Sequence, residues 1–293
     1  MSRRKSKKKT ASFLSLLLVL LAAAGGYLWQ AEGQKAQPLP QDGSLSLVVL
    51  DVGQGDSLLL HSGGQWALID AGTAESEDAI LQAMQAYGVD KLALAVATHP
   101  HADHIGSMAA VLDAYPPAVF WMPDISHTSD TYERMLDAVE RSGADAVLAE
   151  KGDVFTLGDA RITVLSPQQG DSLDDLNNAS LVLLAEGAGV RCLLTGDAEA
   201  PVEEALVQAG LPAVDILKVG HHGSDTSSSS AFLSAISPRY AAISCGVGNS
   251  YGHPNERTLS ALEELGCQIY RTDTQGTIVF TATGGEIDVQ TER

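Results

Sequence analysis

The sequence predicts an α+β fold in which helices pack on two β-sheets, and three observations carry that reading. Short strand-like runs come in groups, with stretches of helical periodicity between them. Aliphatic residues are plentiful and aromatic ones scarce, 45% hydrophobic against 5% aromatic, which is ample for a full core. Beyond the first forty or so residues no Pro/Ser/Gly-rich stretch divides the chain, so residues 45–293 read as one domain.

Each element follows from its local pattern. Leu45–Leu50 alternates and ends at Asp51, and Ser57–His61 and Trp66–Ile69 follow after Gly-rich turns, predicting three antiparallel strands joined by hairpins. Glu75–Tyr87 has helical apolar spacing and stops at Gly88. Leu92–Ala97 (LALAVA) reads as a buried strand, and His104–Tyr115 as a helix closed by Pro116-Pro117. A strand at Val119–Trp121, a helix at Thr131–Ser142 and strands near Ala146–Leu148, Asp153–Thr156 and Arg161–Leu165 come next. In the second half, Leu181–Glu186 and Arg191–Thr195 form a hairpin pattern, followed by helix Pro201–Gln208, strand Val214–Val219 and helix Ala231–Ile236. Strand Tyr240–Ser244, helix Asn255–Leu265 and strands Gln268–Arg271, Gly276–Thr281 and Glu286–Gln290 complete the order.

The first residues have another character. Arg3, Arg4, Lys5, Lys7, Lys8 and Lys9 precede an apolar run from Ala11 to Trp29, the pattern of an export signal or of a single membrane anchor over residues 1–30. Ala22-Ala23-Ala24 offers a small-residue cleavage site, whereas Tyr27 and Trp29 suit interfacial anchoring, so release and tethering through residues 11–29 both stand. Residues 31–44 read as a polar linker. Either way the following domain is expected outside the cytoplasm, secreted or held at the cell membrane.

The chemistry concentrates in Thr98-His99-Pro100-His101-Ala102-Asp103-His104-Ile105-Gly106, directly after the LALAVA strand. Three imidazoles and a carboxylate within six residues are hard to explain as packing. A loop leaving a strand end can curl them around one centre, and neutral imidazole nitrogen and carboxylate oxygen are ligands that zinc and manganese accept. Further motifs follow in order: Asp51-Val-Gly-Gln-Gly-Asp56, Asn177-Asn-Ala-Ser180, Leu193-Leu-Thr-Gly-Asp197, Leu217-Lys-Val-Gly-His-His-Gly-Ser224, Tyr251-Gly-His-Pro254 and Arg271-Thr-Asp273. With the metal loop they resemble the metallo-β-lactamase superfamily, and within it the hydrolase domain of the ComEC competence family, over about Leu45 to Val289.

That resemblance implies a four-layer αββα sandwich with the site at one edge between the sheets, and two divalent ions, zinc or manganese. By the superfamily's order, His99 and His101 would hold one ion and Asp103, His104 and His253 the other, with Asp197 bridging. Locally, Asp197 also suits a helix N-cap and His253 a turn before Pro254. His221 is expected as general acid and His222 as partner of a carboxylate, with the roles open to exchange and either open to ligation. Where many members carry a further histidine ligand, this chain has Asn177-Asn178-Ala179-Ser180, so Asn178 would lend a carbonyl oxygen or orient a water. His127 alone lies in that interval, without a motif. Asp70 is expected to hold a ligand imidazole, and Asp56 to do so or to serve a turn. Arg271 and Thr272 read as cleft lining or as a strand-end salt bridge.

Function follows from the ions. Hydroxide generated from water between two cations would attack a phosphodiester, and the resemblance points to single-stranded DNA as substrate. A small phosphoester, lactone or lactam is the alternative, and a non-catalytic partner in DNA uptake a second. The net charge of -19 argues against a broad basic surface for nucleic acid. Cys192, Cys245 and Cys267 fit no metal or redox spacing; one disulfide among them is open.

Overall fold

The strands of this computed structural model, which describes Leu39 and residues 43–171 and 174–293, form two mixed sheets. The signal or anchor expected over residues 1–30, and most of the linker expected over 31–44, lie outside the described residues. Among the described residues no helix is long and apolar enough to cross a membrane.

The first sheet contains β1 (Ser44–Val49), β2 (Leu58–Ser62), β3 (Gln65–Ile69), β4 (Leu92–Val96), β5 (Pro117–Met122), β6 (Asp145–Leu148), β14 (Ile278–Thr283) and β15 (Glu286–Thr291). Their order is β15-β14-β1-β2-β3-β4-β5-β6. The second contains β7 (Val154–Leu157), β8 (Ala160–Ser166), β9 (Val182–Gly187), β10 (Val190–Leu194), β11 (Ile216–Lys218), β12 (Tyr240–Ile243) and β13 (Gln268–Arg271), in the order β13-β12-β11-β10-β9-β8-β7. The hairpins read from the sequence are antiparallel pairs, β1 with β2, β2 with β3, and β9 with β10. Strands separated by helices pair in parallel, β3-β4-β5-β6 in one sheet and β10-β11-β12-β13 in the other.

Strand alternation explains the layering. Leu45, Leu47 and Val49 face the other sheet and pack with Leu183 and Leu194, whereas Val48 and Leu50 face outward and pack under the helices with Ile80, Met84 and Met108. On the far side, Leu193, Leu217 and Ile243 pack with Leu206, Phe232 and Leu262 of the second helical layer. Each fully buried aliphatic side chain contributes roughly 1.5–3 kcal/mol, and both faces of both sheets are used. The result is the metallo-β-lactamase fold, helices on the outer faces of two packed sheets.

One expected element differs. The single helix expected over His104–Tyr115 is two, Ala102–Ile105 and Met108–Ala114. Between them the Gly106 and Ser107 N–H groups donate to Gly72 and Ala71 carbonyls (2.8 and 3.1 Å) instead of continuing the helical ladder. Gly106 is required there, because a Cβ would lie 2.4 Å from the Ala74 nitrogen. Helical periodicity in the sequence carries no sign of this tertiary competition.

Candidate metal centre

The site residues follow the C-terminal ends of parallel strands, where α/β sheets leave a crevice for ligands. The metal loop follows β4, Asp197 follows β10, His221 and His222 follow β11, and Ser244 follows β12. At this edge the sheets are joined directly: the Leu181 N–H donates to the Thr98 carbonyl at 2.9 Å. The β1–β2 loop reaches the metal loop through Asp56 N–H to Asp103 carbonyl, 3.1 Å.

Two groups of side chains converge, sharing Asp197: Asp56, His104, Asp197 and His222, and His99, His101 and Asp197. Within each, one potential ligand atom per residue lies within 4.8 Å of the others. Asp197 lies between the two groups. Its Oδ1 is 3.2 Å from His104 Nε2, and its Oδ2 is 3.6 Å from His222 Nε2 and 3.8 Å from His99 Nε2. His99 Nε2 and His101 Nδ1 are 3.0 Å apart.

The ring nitrogens facing away from the centre are occupied. His104 Nδ1 donates to Asp70 Oδ2 at 2.8 Å, and Asp70 also accepts the Thr98 N–H and O–H at 2.8 and 2.7 Å. His222 Nδ1 donates to the Ser244 carbonyl at 3.1 Å. In the neutral rings these bonds leave lone pairs on both Nε2 atoms, and His104 Nε2, His222 Nε2 and Asp197 Oδ1 are buried without a hydrogen-bond partner. Three orphaned donor atoms aimed at one point would be costly unless a cation meets them. The residues therefore fit divalent ions.

Asp56 and Asp103 take different sides of the His222 ring. Asp56 Oδ1 is 3.3 Å from Nδ1, and Asp103 Oδ2 is 3.3 Å from Nε2. Since Nε2 is the nitrogen facing Asp197, the geometry makes Asp103 the carboxylate beside an ion and Asp56 the group behind the ring. Asp56 also pairs with fully buried Lys218, Nζ to Oδ2 at 2.7 Å. A lysine inside an apolar strand pattern gave no functional signal; its burial is explained by the carboxylate it meets and by the Val219 carbonyl, which accepts from Nζ at 3.0 Å.

Burial and charge oppose each other here. Burial lowers the His99 pKa well below its ordinary value, reinforced by the neighbouring His104. For His222 burial also lowers it, but Asp197, Asp103 and Asp56 outweigh that and push it to about 9. Burial would raise Asp197, yet His104 and His222 hold it well below the carboxylate range. Asp103 is held at about 2, burial being outweighed by His222 and His104. Without an ion the carboxylates draw a proton onto His222, and a divalent cation at this point would displace it.

Other expected residues fall nearby. Asn178 belongs to neither group in the donor geometry: its Oδ1 accepts the Glu199 N–H at 3.1 Å. The same segment acts through Ser180, whose Oγ accepts the Asp197 N–H (3.1 Å) and lies 3.3 Å from His99 Nδ1. The Asn-Asn-Ala-Ser segment thus holds Asp197 and its neighbour in place, a role its carbonyl oxygens did not advertise. His253 stands outside both groups, its ring centroid 6.2 Å from that of His222 and 5.6 Å from that of His221. His221 is half-buried, with Nδ1 3.2 Å from both Glu199 Oε1 and Thr226 Oγ1 and Nε2 3.7 Å from Asp197 Oδ2. His221 and His222 both have positive φ (48° and 55°), a conformation that bulky residues adopt only when the surroundings impose it. It turns the two adjacent rings to different sides. His127 bonds Ser129 instead, Arg271 pairs with Asp273 (Nε to Oδ1, 3.0 Å), and Thr272 is buried against Cys245. The three cysteines are free and buried.

The chain belongs to the metallo-beta-lactamase superfamily, whose family model matches residues 50–247. It is similar to two curated proteins in particular. ComE operon protein 3 of Bacillus subtilis is 32% identical over 83% of this chain, and competence protein ComA of Neisseria gonorrhoeae 32% identical over 84%. The chain spans about a third of the length of either relative, 33% in each case. Among solved structures, the metallo-beta-lactamase fold protein YhfI from Bacillus subtilis shares the fold, with a TM-score of 0.54 at 12% identity, covering 83% of this chain and 99% of that one.

Proposed function

We propose that this chain is a metal-dependent phosphodiesterase that cuts single-stranded DNA outside the cytoplasm. The observation that carries the hydrolase is the convergence of unpartnered His104 Nε2, His222 Nε2 and Asp197 Oδ1 on one buried point. Support for the nucleic acid comes from the similarity to two competence proteins, and support for the location from the basic and apolar N-terminal pattern.

His99, His101 and Asp197 would hold one divalent cation, and Asp103, His104, His222 and Asp197 the other. Such cations supply Lewis acidity, acidifying water and withdrawing charge from a phosphoryl oxygen. The chain's own residues do the rest. Asp70 and the Ser244 carbonyl fix the tautomers of His104 and His222. His221 is the proton donor in its imidazolium form: Glu199 or Thr226 holds the Nδ1–H, and the Nε2–H, facing the Asp197 side, passes to the departing oxygen and leaves the neutral ring.

The acidity of the chain favours a second reading, a small phosphoester in place of a polymer. The deciding experiment uses the purified full chain with manganese and an end-labelled single-stranded DNA. Cleavage that disappears in His101→Ala is expected. A metal-loaded wild-type chain that leaves the strand intact would end the nuclease reading and turn the search to small phosphoesters and lactones; intact DNA that is nonetheless bound would point to a non-catalytic uptake partner.

A further inference from the structure

The loop between β12 and helix Glu256–Glu264 carries an aromatic ring into solvent beside the metal centre. Tyr251 is 70% exposed and Val247, on the same loop, 76%. The Tyr251 ring lies 5.7 Å from that of His253 at an interplanar angle of 26°. His253 in turn lies 6.2 Å from His222 at 29°. Near-parallel rings therefore lead from a member of the metal group to the surface.

The loop is built to hold that arrangement. Asn249 Oδ1 accepts the N–H groups of Tyr251 and His253 (3.1 and 3.0 Å), and its Nδ2 donates to the carbonyls of Gly246 and His253. Gln54, from the β1–β2 loop, accepts the Gly246 N–H at 3.1 Å. With the backbone beneath the ring held this way, a ligand that stacks on it has only the side chain left to order.

Charge does not offer an equivalent hold. The guanidinium groups of the neighbouring segments are engaged: Arg271 with Asp273, Arg257 with the Asp225 carbonyl at 2.9 Å, and Arg293 with Asp51. Stacking on a π-face needs no cation, and every base has such a face. In a duplex those faces are already covered, so an exposed ring selects unpaired bases.

We infer that Tyr251 is a substrate-positioning residue whose ring stacks on an unpaired nucleobase of the strand at the metal centre. The inference rests on the nuclease reading above and names how that site chooses its substrate.

The test compares the wild-type full chain, Tyr251→Ala and Tyr251→Phe, each with manganese, on a labelled single-stranded oligodeoxynucleotide and on the same oligomer carrying abasic residues. The wild-type chain and Tyr251→Phe should prefer the base-bearing strand by about tenfold in KM, the loss in Tyr251→Ala falling on KM and not on kcat. In Tyr251→Ala that preference should vanish. A Tyr251→Ala chain that keeps the full preference, or that loses equally on both strands, overturns the stacking role while leaving the nuclease intact. A wild-type chain inert on both strands overturns the nuclease reading and this inference with it.

Discussion

Asp70 touches no ion position, yet it holds both the His104 ring and Thr98 of the metal loop. Its φ of 59° is left-handed, where Asn is among the few non-glycine residues at ease, so Asp70→Asn changes the charge and not the backbone. The Asn amide keeps one acceptor for Thr98 but turns an NH2 group toward His104 Nδ1. Manganese affinity, measured by calorimetric titration of the metal-free chain, should fall by about 10–100-fold with the circular dichroism spectrum unchanged. Unaltered affinity would remove Asp70 from the support of the centre. At this scale the metal loop, Asp197 and Asp70 were legible because their residue types carry their chemistry. Ser180, Glu199 and Lys218 were not, since each acquires its role from a partner 17 or more residues away.

At the scale of elements, the centre depends on loops that must approach closely. Gly55, in the β1–β2 loop, has a φ of +137°, and a Cβ there would lie 2.3 Å from the Asp103 carbonyl oxygen. The same loop supplies the Gly55 carbonyl to Ser244 Oγ at 2.6 Å, tying it to the end of β12. Gly55→Ala should push the metal loop away, destabilising the fold by about 1–3 kcal/mol in denaturant unfolding and abolishing metal-dependent cleavage. A variant of wild-type stability and activity would show that the loops separate without cost. The sequence displayed the Gly-Gln-Gly turn but not the carbonyl that demands it.

At the scale of the whole molecule, charge sets the manner of binding. With a net charge of -19 the chain has no excess of cations to displace counterions from a strand. On the proposed nuclease function, its KM for single-stranded DNA should therefore rise less than about tenfold between about 50 and 200 mM salt, where a protein neutralising six to ten phosphates loses ~10³–10⁵. A steep dependence, in cleavage assays at fixed metal, would reveal a basic path that the paired arginines do not offer.

Strand and helix order, the two-sheet layering and the metal-binding loop were determined by the sequence itself, because they rest on local periodicity and on residue types with few other uses. The division of labour inside the site was decided only by tertiary structure. His221 and His222 are adjacent and chemically identical; what separates them is that the chain turns through two left-handed residues, sending His222 into the buried group with Asp197 and leaving His221 half-exposed beside Glu199. Asn178 had the composition of a ligand and its side-chain oxygen instead accepts a backbone N–H, whereas His253 lies beside both groups in a row of rings, its Nδ1 buried without a partner. Ligand identity is a matter of which lone pairs meet at one point, and that meeting is made by four strand ends brought together across two sheets.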